Sequence, residues 1–194
     1  MRLLLLAPPG AGKGTQGEQL AAQFGVRHIA AGDLLRAEAR ASTPPGQEIA
    51  AYQERGDLVP DQIVLDVLTP VVVGAVAEGG YILDGFPRTL SQATAAAELA
   101  GRLGLTLDAV IYLYASEPVL TRRLLGRAGQ AGRNDDTADV IRHRLQVFTE
   151  TTSPLIAYYQ DRGILLAVDA DQPPGSVTAD IEERLAGLSV IRGE

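Results

Sequence analysis

Apolar residues in this chain gather into short unbroken runs, set apart by longer amphipathic stretches. Leu3 to Leu6, between Arg2 and Ala7, is the first run; 81–83, 109–113 and 164–168 are others. A continuous apolar run of strand length suits a strand covered on both faces of a parallel sheet. Residues 27–30 read as a further short strand. Between the runs the pattern turns helical. Over 16–24, Leu20, Ala21 and Phe24 share one side, and Gly25 follows as a C-cap. Helices are also expected over 32–41, 47–55, 60–78, 89–103, 117–127, 137–160 and 176–185. Prolines and glycines punctuate these elements. Residues 42–46 (Ser-Thr-Pro-Pro-Gly) read as a turn, and Gly79-Gly80 as a stop. Pro70 should bend or interrupt its helix, Pro154 should break another, and 128–133 read as a loose glycine-rich stretch.

Strands alternating with helices predict an α/β fold, a parallel sheet flanked by helices on both faces with right-handed crossovers. In such sheets ligands bind at the carboxyl ends of the strands. Three chemical features fall at that edge: the loop after the first strand, Asp84 and Arg88.

The loop is Ala7-Pro8-Pro9-Gly10-Ala11-Gly12-Lys13-Gly14-Thr15, and Lys13 is the chain's only lysine among 17 basic side chains. Lysine supplies a compact ammonium on a slim stem, which a glycine-rich loop can fold around and a planar guanidinium would not fit. Strand, glycine loop and helix form the setting of a phosphate-binding loop, whose N–H groups and helix N-terminus attract phosphate oxygens. The fit to G-x-x-x-x-G-K-[ST] is imperfect. Ala7 stands at the first glycine, and Gly14 displaces the hydroxyl residue to Thr15.

Asp84, ending a strand beside that loop, either faces a magnesium ion or caps the turn that follows. Arginines recur at loop boundaries: Arg36, Arg88, Arg123, Arg127, Arg133 and Arg144. Guanidinium forks match phosphate oxygens bidentately. Arg40, Arg102, Arg122, Arg142, Arg162 and Arg184 read as surface charge. Asp135 and Asp136 either cap the next helix or hold neighbouring arginines. His28 reads as structural and His143 as exposed. Tyr158 and Tyr159 read as helix packing.

Composition narrows the rest. The 194 residues suit one domain, and 46% hydrophobic content supports a real core. Without cysteine there is no disulfide, thiolate metal site or cysteine nucleophile. A net charge of −7 argues against sequence-independent nucleic-acid binding. No run reaches the length of a membrane span, and the N-terminus lacks a signal-peptide layout.

Together these motifs resemble the adenylate kinase family, within the wider nucleoside-monophosphate kinases, and the likeness covers nearly the whole chain. Pro9 to Thr15 is similar to that family's phosphate loop, including its Gly-Thr ending. Ala31-Gly32-Asp33-Leu34-Leu35-Arg36 and Gly56-Asp57-Leu58-Val59-Pro60 resemble its monophosphate site. Asp84-Gly85-Phe86-Pro87-Arg88-Thr89 is near-diagnostic, and Gln92 matches the residue that reads the acceptor adenine. Arg123, Arg127, Arg133-Asn134-Asp135-Asp136 and Arg144 fall at the spacing of the lid and its hinges.

The resemblance implies a P-loop core over 1–29, 60–126 and 137–194. It also implies two small mobile insertions: a monophosphate segment over 30–59 and a short lid over 127–136, of the type without zinc. Gly10, Ala11, Gly12, Lys13, Gly14, Thr15, Arg123, Arg127 and the backbone near Gln172 would bind ATP. Ala31, Arg36, Asp57, Leu58, Val59, Gly85, Phe86, Pro87, Arg88, Gln92, Arg133 and Arg144 would bind AMP. Lys13, Arg88, Arg123, Arg133 and Arg144 would be catalytic, and Asp84 would hold Mg²⁺ through water. A cytoplasmic monomer acting on ATP, AMP and ADP, with no nucleic-acid or membrane partner, is the corresponding expectation. Ala31 resembles the pyrimidine monophosphate kinases, so a UMP/CMP kinase or a broad-specificity enzyme stays open. A GTP switch lacks its second lysine motif, and an inactive nucleotide-binding scaffold is the remaining alternative.

Overall fold

The computed structural model describes residues 1–41, 43–55, 58–131 and 138–192, with side chains for all of these except 54–55, 127–131, 138 and 189–192. Five parallel strands form one sheet in the order β2-β3-β1-β4-β5: β1 Arg2–Leu6, β2 Arg27–Ala30, β3 Tyr81–Asp84, β4 Ala109–Tyr114 and β5 Leu165–Asp169. The first strand lies in the middle. After it the chain winds outward to one edge (β2), and from β4 it winds to the other. The loop leaving β1 therefore opens at the point where the winding reverses, which is where open parallel sheets bind ligands.

Leu3 and Leu5 enter a core on one face of the sheet, and Leu4 and Leu6 enter a second core on the other. All four are at most 3% exposed, as a strand covered on both faces requires. The first core lies beneath α1 (Lys13–Phe24), α6 (Glu117–Ala131) and α9 (Pro174–Arg192). The second lies beneath α2 (Ala31–Ala39), α3 (Pro44–Arg55), α4 (Asp61–Ala77), α5 (Leu90–Leu103) and α8 (Pro154–Gln160). No described helix is long and apolar enough to cross a membrane.

Several boundaries differ from the sequence pattern. The first helix starts at Lys13 rather than 16, because Gly12 takes φ +96° and turns the chain directly from loop into helix. Pro44 and Pro45 open α3 instead of forming a turn. Proline is tolerated in a first turn, where its missing N–H has no intrahelical partner. Thr43 Oγ1 accepts the Gly46 N–H at 3.1 Å and starts that turn. A side chain at Gly46 would strike the Glu38 and Ala41 carbonyls, so glycine lets α3 begin against the end of α2.

Pro70 does not interrupt α4, which runs unbroken through it. α6 continues to Ala131, through residues that read as loose. The long helix over 137–160 is in fact α7 (Ala138–Val147), a π turn (Phe148–Thr152) and α8. The Ser153 N–H reaches back five residues to Phe148 O, so the break precedes Pro154. α9 extends to Arg192, well past the stop expected at 185.

Burial pushes the Tyr81 phenol up to about 12, with Arg2 opposing and Asp108 reinforcing, and burial raises Tyr159 in the same direction. The fold therefore favours neutral phenols. That stability is whole below pH ~10, the unfolded value, and is lost as pH climbs toward the folded one. In Tyr81→Phe, the alkaline fall of unfolding free energy should shallow by up to about 1.4 kcal/mol per pH unit between pH ~10 and ~12. Urea titrations across that range measure it, and an unchanged slope would contradict the assignment.

Candidate active site

The loop between β1 and α1 is shaped by its glycines. Gly10 takes φ +86°, and a Cβ there would lie 2.9 Å from Leu120 O and 3.0 Å from Leu124 Cγ. Glycine is needed on both counts. The Ala11 N–H donates to Pro8 O at 3.3 Å, and Gly12 caps α1 with no side-chain cap. The N-terminus of α1 thus faces the hollow of the loop, an arrangement that binds anions. Lys13 Nζ turns back over the loop and donates to Ala7 O at 2.7 Å and to Pro8 O at 3.5 Å. Gly14 and Thr15 are exposed at the start of the helix.

Gln16 is a part of this site that the sequence pattern did not reveal. It is 2% exposed, donates to Pro174 O at 2.9 Å and accepts from Thr178 Oγ1 at 2.8 Å. The phosphate-loop helix is thus braced against the start of α9 by a buried amide.

Beside the loop, β3 pairs with β1 so that Asp84 sits opposite Leu5 and, on its other side, opposite Ala30. The strand ends of β1, β2 and β3 bring the loop, Asp84 and the start of α2 to one edge. Gly85 follows at φ +84°. A Cβ there would come within 4.0 Å of Arg88 Nη2, the Gly32 N–H and Ala31 Cβ, so these groups meet at one corner. Ala31 is buried. Arg36 folds back over Gly32 and is paired with Asp33.

Arg88 is the centre of the second half of the site. Its Nε donates to Gly85 O at 2.9 Å. The side chain is exposed to water yet has protein packed densely around it. Burial lowers its pKa, Asp84 opposes that, and the charges of Arg144 and Arg36 lower it further. Arginine stays protonated regardless. Three guanidinium groups from α2, the β3–α5 loop and α7 are therefore held close together, with Asp84 as the neighbouring acid. Like charges converge in this way where an anion of high charge is to be received.

The Arg88 backbone is fixed from two directions. Its N–H donates to Gln92 Oε1 at 2.7 Å, and its carbonyl accepts from Thr152 Oγ1, in the π turn, at 2.9 Å. Gln92 is 3% exposed and donates through Nε2 to Asp61 Oδ1 at 2.9 Å. Asp61 Oδ2 also accepts from Ser91 Oγ at 3.1 Å. Thr89 caps α5 by accepting the Gln92 N–H at 3.2 Å. Asp61 and Thr152 gave no signal in the sequence, because their partners lie 31 and 64 residues away.

At the far side of the loop, half-buried Arg123 donates to Gln172 O at 3.4 Å. Hydrogen bonds with Ser116 hold the neighbouring Asp171 carboxyl below its usual range; Arg123 and Arg122 add to this, and burial opposes it. The Gln172 side chain is engaged with Asp169 O and Asp180. Val59, Phe86 and Pro87 are buried and Leu58 is half-buried, and Val59 and Phe86 belong to the core beneath α4 and α5. Asp57 and Arg133 lie outside the described residues, as does the side chain of Arg127. Asn134, Asp135 and Asp136 lie outside them too.

Among the described residues no group of three His, Cys, Asp or Glu side chains is placed to hold a metal. A single carboxylate at a phosphate site nevertheless fits Mg²⁺, which keeps several waters and takes its remaining ligands from substrate phosphates.

A family model described as adenylate kinase matches residues 5–164. A protein named adenylate kinase from Methylobacterium radiotolerans is 45% identical over 199 residues, covering 96% of this chain and 100% of that protein. Its namesake from Prochlorococcus marinus is 47% identical over 184 residues, covering 95% of this chain and 98% of its own. One from Xylella fastidiosa is 48% identical over 169 residues, covering 87% and 90%.

Proposed function

The chain belongs to the adenylate kinase family and transfers a phosphoryl group reversibly between ATP and AMP, giving two ADP, and we propose that it does so by gathering positive charge around the transferring group. The observation that carries this is the convergence of Arg36, Arg88 and Arg144 beside a lysine-bearing phosphate loop. An AMP phosphate oxygen is ionised near neutral pH, so the reaction asks for no general base. What it asks for is alignment and charge neutralisation. Lys13 and the loop N–H groups receive the β- and γ-phosphates of ATP. Arg36 and Arg88 grip the AMP phosphate. Arg123, Arg127, Arg133 and Arg144 close on the group in flight. Mg²⁺, held by Asp84 through water, would neutralise phosphate charge when bound. Residues 30–59 and 127–136 act as mobile covers that exclude water. The protein works as a cytoplasmic monomer without nucleic-acid or membrane partners.

AMP selectivity follows from the orientation of Gln92. The Arg88 N–H can only donate, and the Asp61 carboxylate can only accept. The amide is therefore held with oxygen toward residue 88 and nitrogen toward residue 61. One lone pair and one N–H remain for a base. That pair matches adenine, whose N6 donates and N1 accepts. A hypoxanthine edge, with N1–H and O6, needs the amide reversed. This argument weighs more than Ala31, which only lacks a hydroxyl, and it favours AMP over UMP, whose N3–H and O4 also need the amide reversed. Cytosine shares adenine's pattern, so AMP is set apart from CMP by the family and its named relatives.

Gln92→Ala should lower kcat/KM for AMP about tenfold or more, with little change for ATP. Asp61→Asn should narrow the preference for AMP over IMP, again sparing ATP. Steady-state kinetics with each nucleotide decide both; equal losses for AMP and ATP would remove Gln92 from the acceptor site. For the reaction itself, Mg·ADP supplied alone should yield ATP and AMP, whereas an inactive scaffold would leave it unchanged.

A further inference from the structure

On the sheet face away from α1, the helices α4 and α5 do not close fully over β1 and β3. An apolar groove of about 360 Å³ runs between them, a volume in the range of small-ligand sites. Leu65, Leu68 and Val72 of α4 form one wall. The other wall is Ala93, Ala96 and Ala97 of α5, whose short side chains leave the space unfilled. Val73 and Leu103 stand on the rim and are 46% and 48% exposed. The groove shares Phe86 and Pro87 with the loop that carries Arg88, but the arginine cluster lies outside it.

The α8 end of this groove differs in chemistry. Two buried side-chain polar atoms among the described residues lack a hydrogen-bond partner, and one is the Tyr158 hydroxyl, from a residue that lines the groove. A buried hydroxyl without a partner is costly to the fold and is relieved by any acceptor that reaches it. Arg162, also in the lining, lies with its guanidinium carbon 3.4 Å from the Tyr158 ring centroid. It donates to Tyr158 O at 2.9 Å and has no carboxylate partner among the described ion pairs. An apolar slot with one exposed cation in its lining matches an alkyl chain that ends in an anion.

We propose that this groove binds a medium-chain alkyl carboxylate. The chain lies between α4 and α5, and the carboxylate meets the Arg162 guanidinium. The groove adjoins the AMP side of the cleft through Phe86 and Pro87, takes in none of the arginine cluster, and does not depend on the reading of that cluster. Its occupant touches Phe86 and Pro87.

Calorimetric titration of the whole protein, with Mg·ADP present to occupy the nucleotide sites, tests the proposal. Octanoate, decanoate, decanol and decyltrimethylammonium are the probes. Decanoate should bind saturably at one site, about fifteenfold tighter than octanoate, since each of its two extra methylenes contributes about fourfold. Decanol and decyltrimethylammonium should bind more weakly than decanoate. Arg162→Gln should weaken decanoate about threefold to fivefold, a change expected for one exposed charge-assisted contact. Ala96→Phe should abolish binding by filling the slot. A melting curve checks that this variant folds, and Val72→Phe replaces it if it does not. No saturable decanoate binding up to about 1 mM, equal affinity for the cationic probe, or affinity untouched by both the charge and the filling variants would overturn the site.

Discussion

Lys13→Met is expected to lower turnover by at least ~10²-fold while the protein stays folded. Methionine keeps the length and most of the bulk of the stem, so the loop is not emptied. What goes is the ammonium, seated 2.7 Å from Ala7 O within the loop that is to hold phosphate. A preorganised charge aimed at developing negative charge is worth ~2.7–4 kcal/mol in the transition state, hence the size of the loss. The contact to Ala7 O contributes only about 1 kcal/mol to folding, and the main chain around it is held independently. Gly10 and Gly12 fix the turn, and Gln16 ties α1 to α9. Coupled-assay kcat and a melting curve on the same preparation measure the two effects. A folded Lys13→Met protein with near-normal turnover would remove the lysine from the reaction.

Arg88→Met should separate activity from stability even more clearly. The backbone at 88 is gripped by Gln92 Oε1 and Thr152 Oγ1, neither of which needs the guanidinium. Its side chain gives up one hydrogen bond, to Gly85 O. It also gives up the attraction of Asp84, and in exchange the fold is relieved of the burial of a cation crowded by Arg144 and Arg36. Melting temperature should therefore hold or rise. In contrast, kcat/KM for AMP should fall ~10²–10³-fold, because a bidentate grip on phosphate is lost where it aligns the acceptor oxygen. Arg88→Lys should recover only part of the loss, since a point charge cannot replace a planar fork. A stability loss matching the activity loss would mean that Arg88 is a structural residue.

Much of this protein could be read before any coordinates. The run Leu3 to Leu6 announced a strand covered twice, and its side chains do divide between two cores. The single lysine in a glycine loop, with Asp84 and Arg88 at another strand end, marked the phosphate edge. These features were legible because each is local: an apolar run, a positive-φ glycine, a capping residue within one turn.

Tertiary structure alone decided what depends on distant partners. Pro44-Pro45 opens a helix because α3 begins against the end of α2, where Gly46 allows the close approach. The long helix near 150 yields to a π turn that presents Thr152 to the Arg88 carbonyl. Asp61 and Gln16 act only because folding brings them to Gln92 and to α9. The sequence by itself determined the layered α/β architecture and the chemical kind of the site, since both follow from periodicity and from residue type at short range. Which side chains meet, and in what orientation they hold the groups that touch substrate, was settled by packing. Contacts spanning tens of residues leave no periodic trace along the chain.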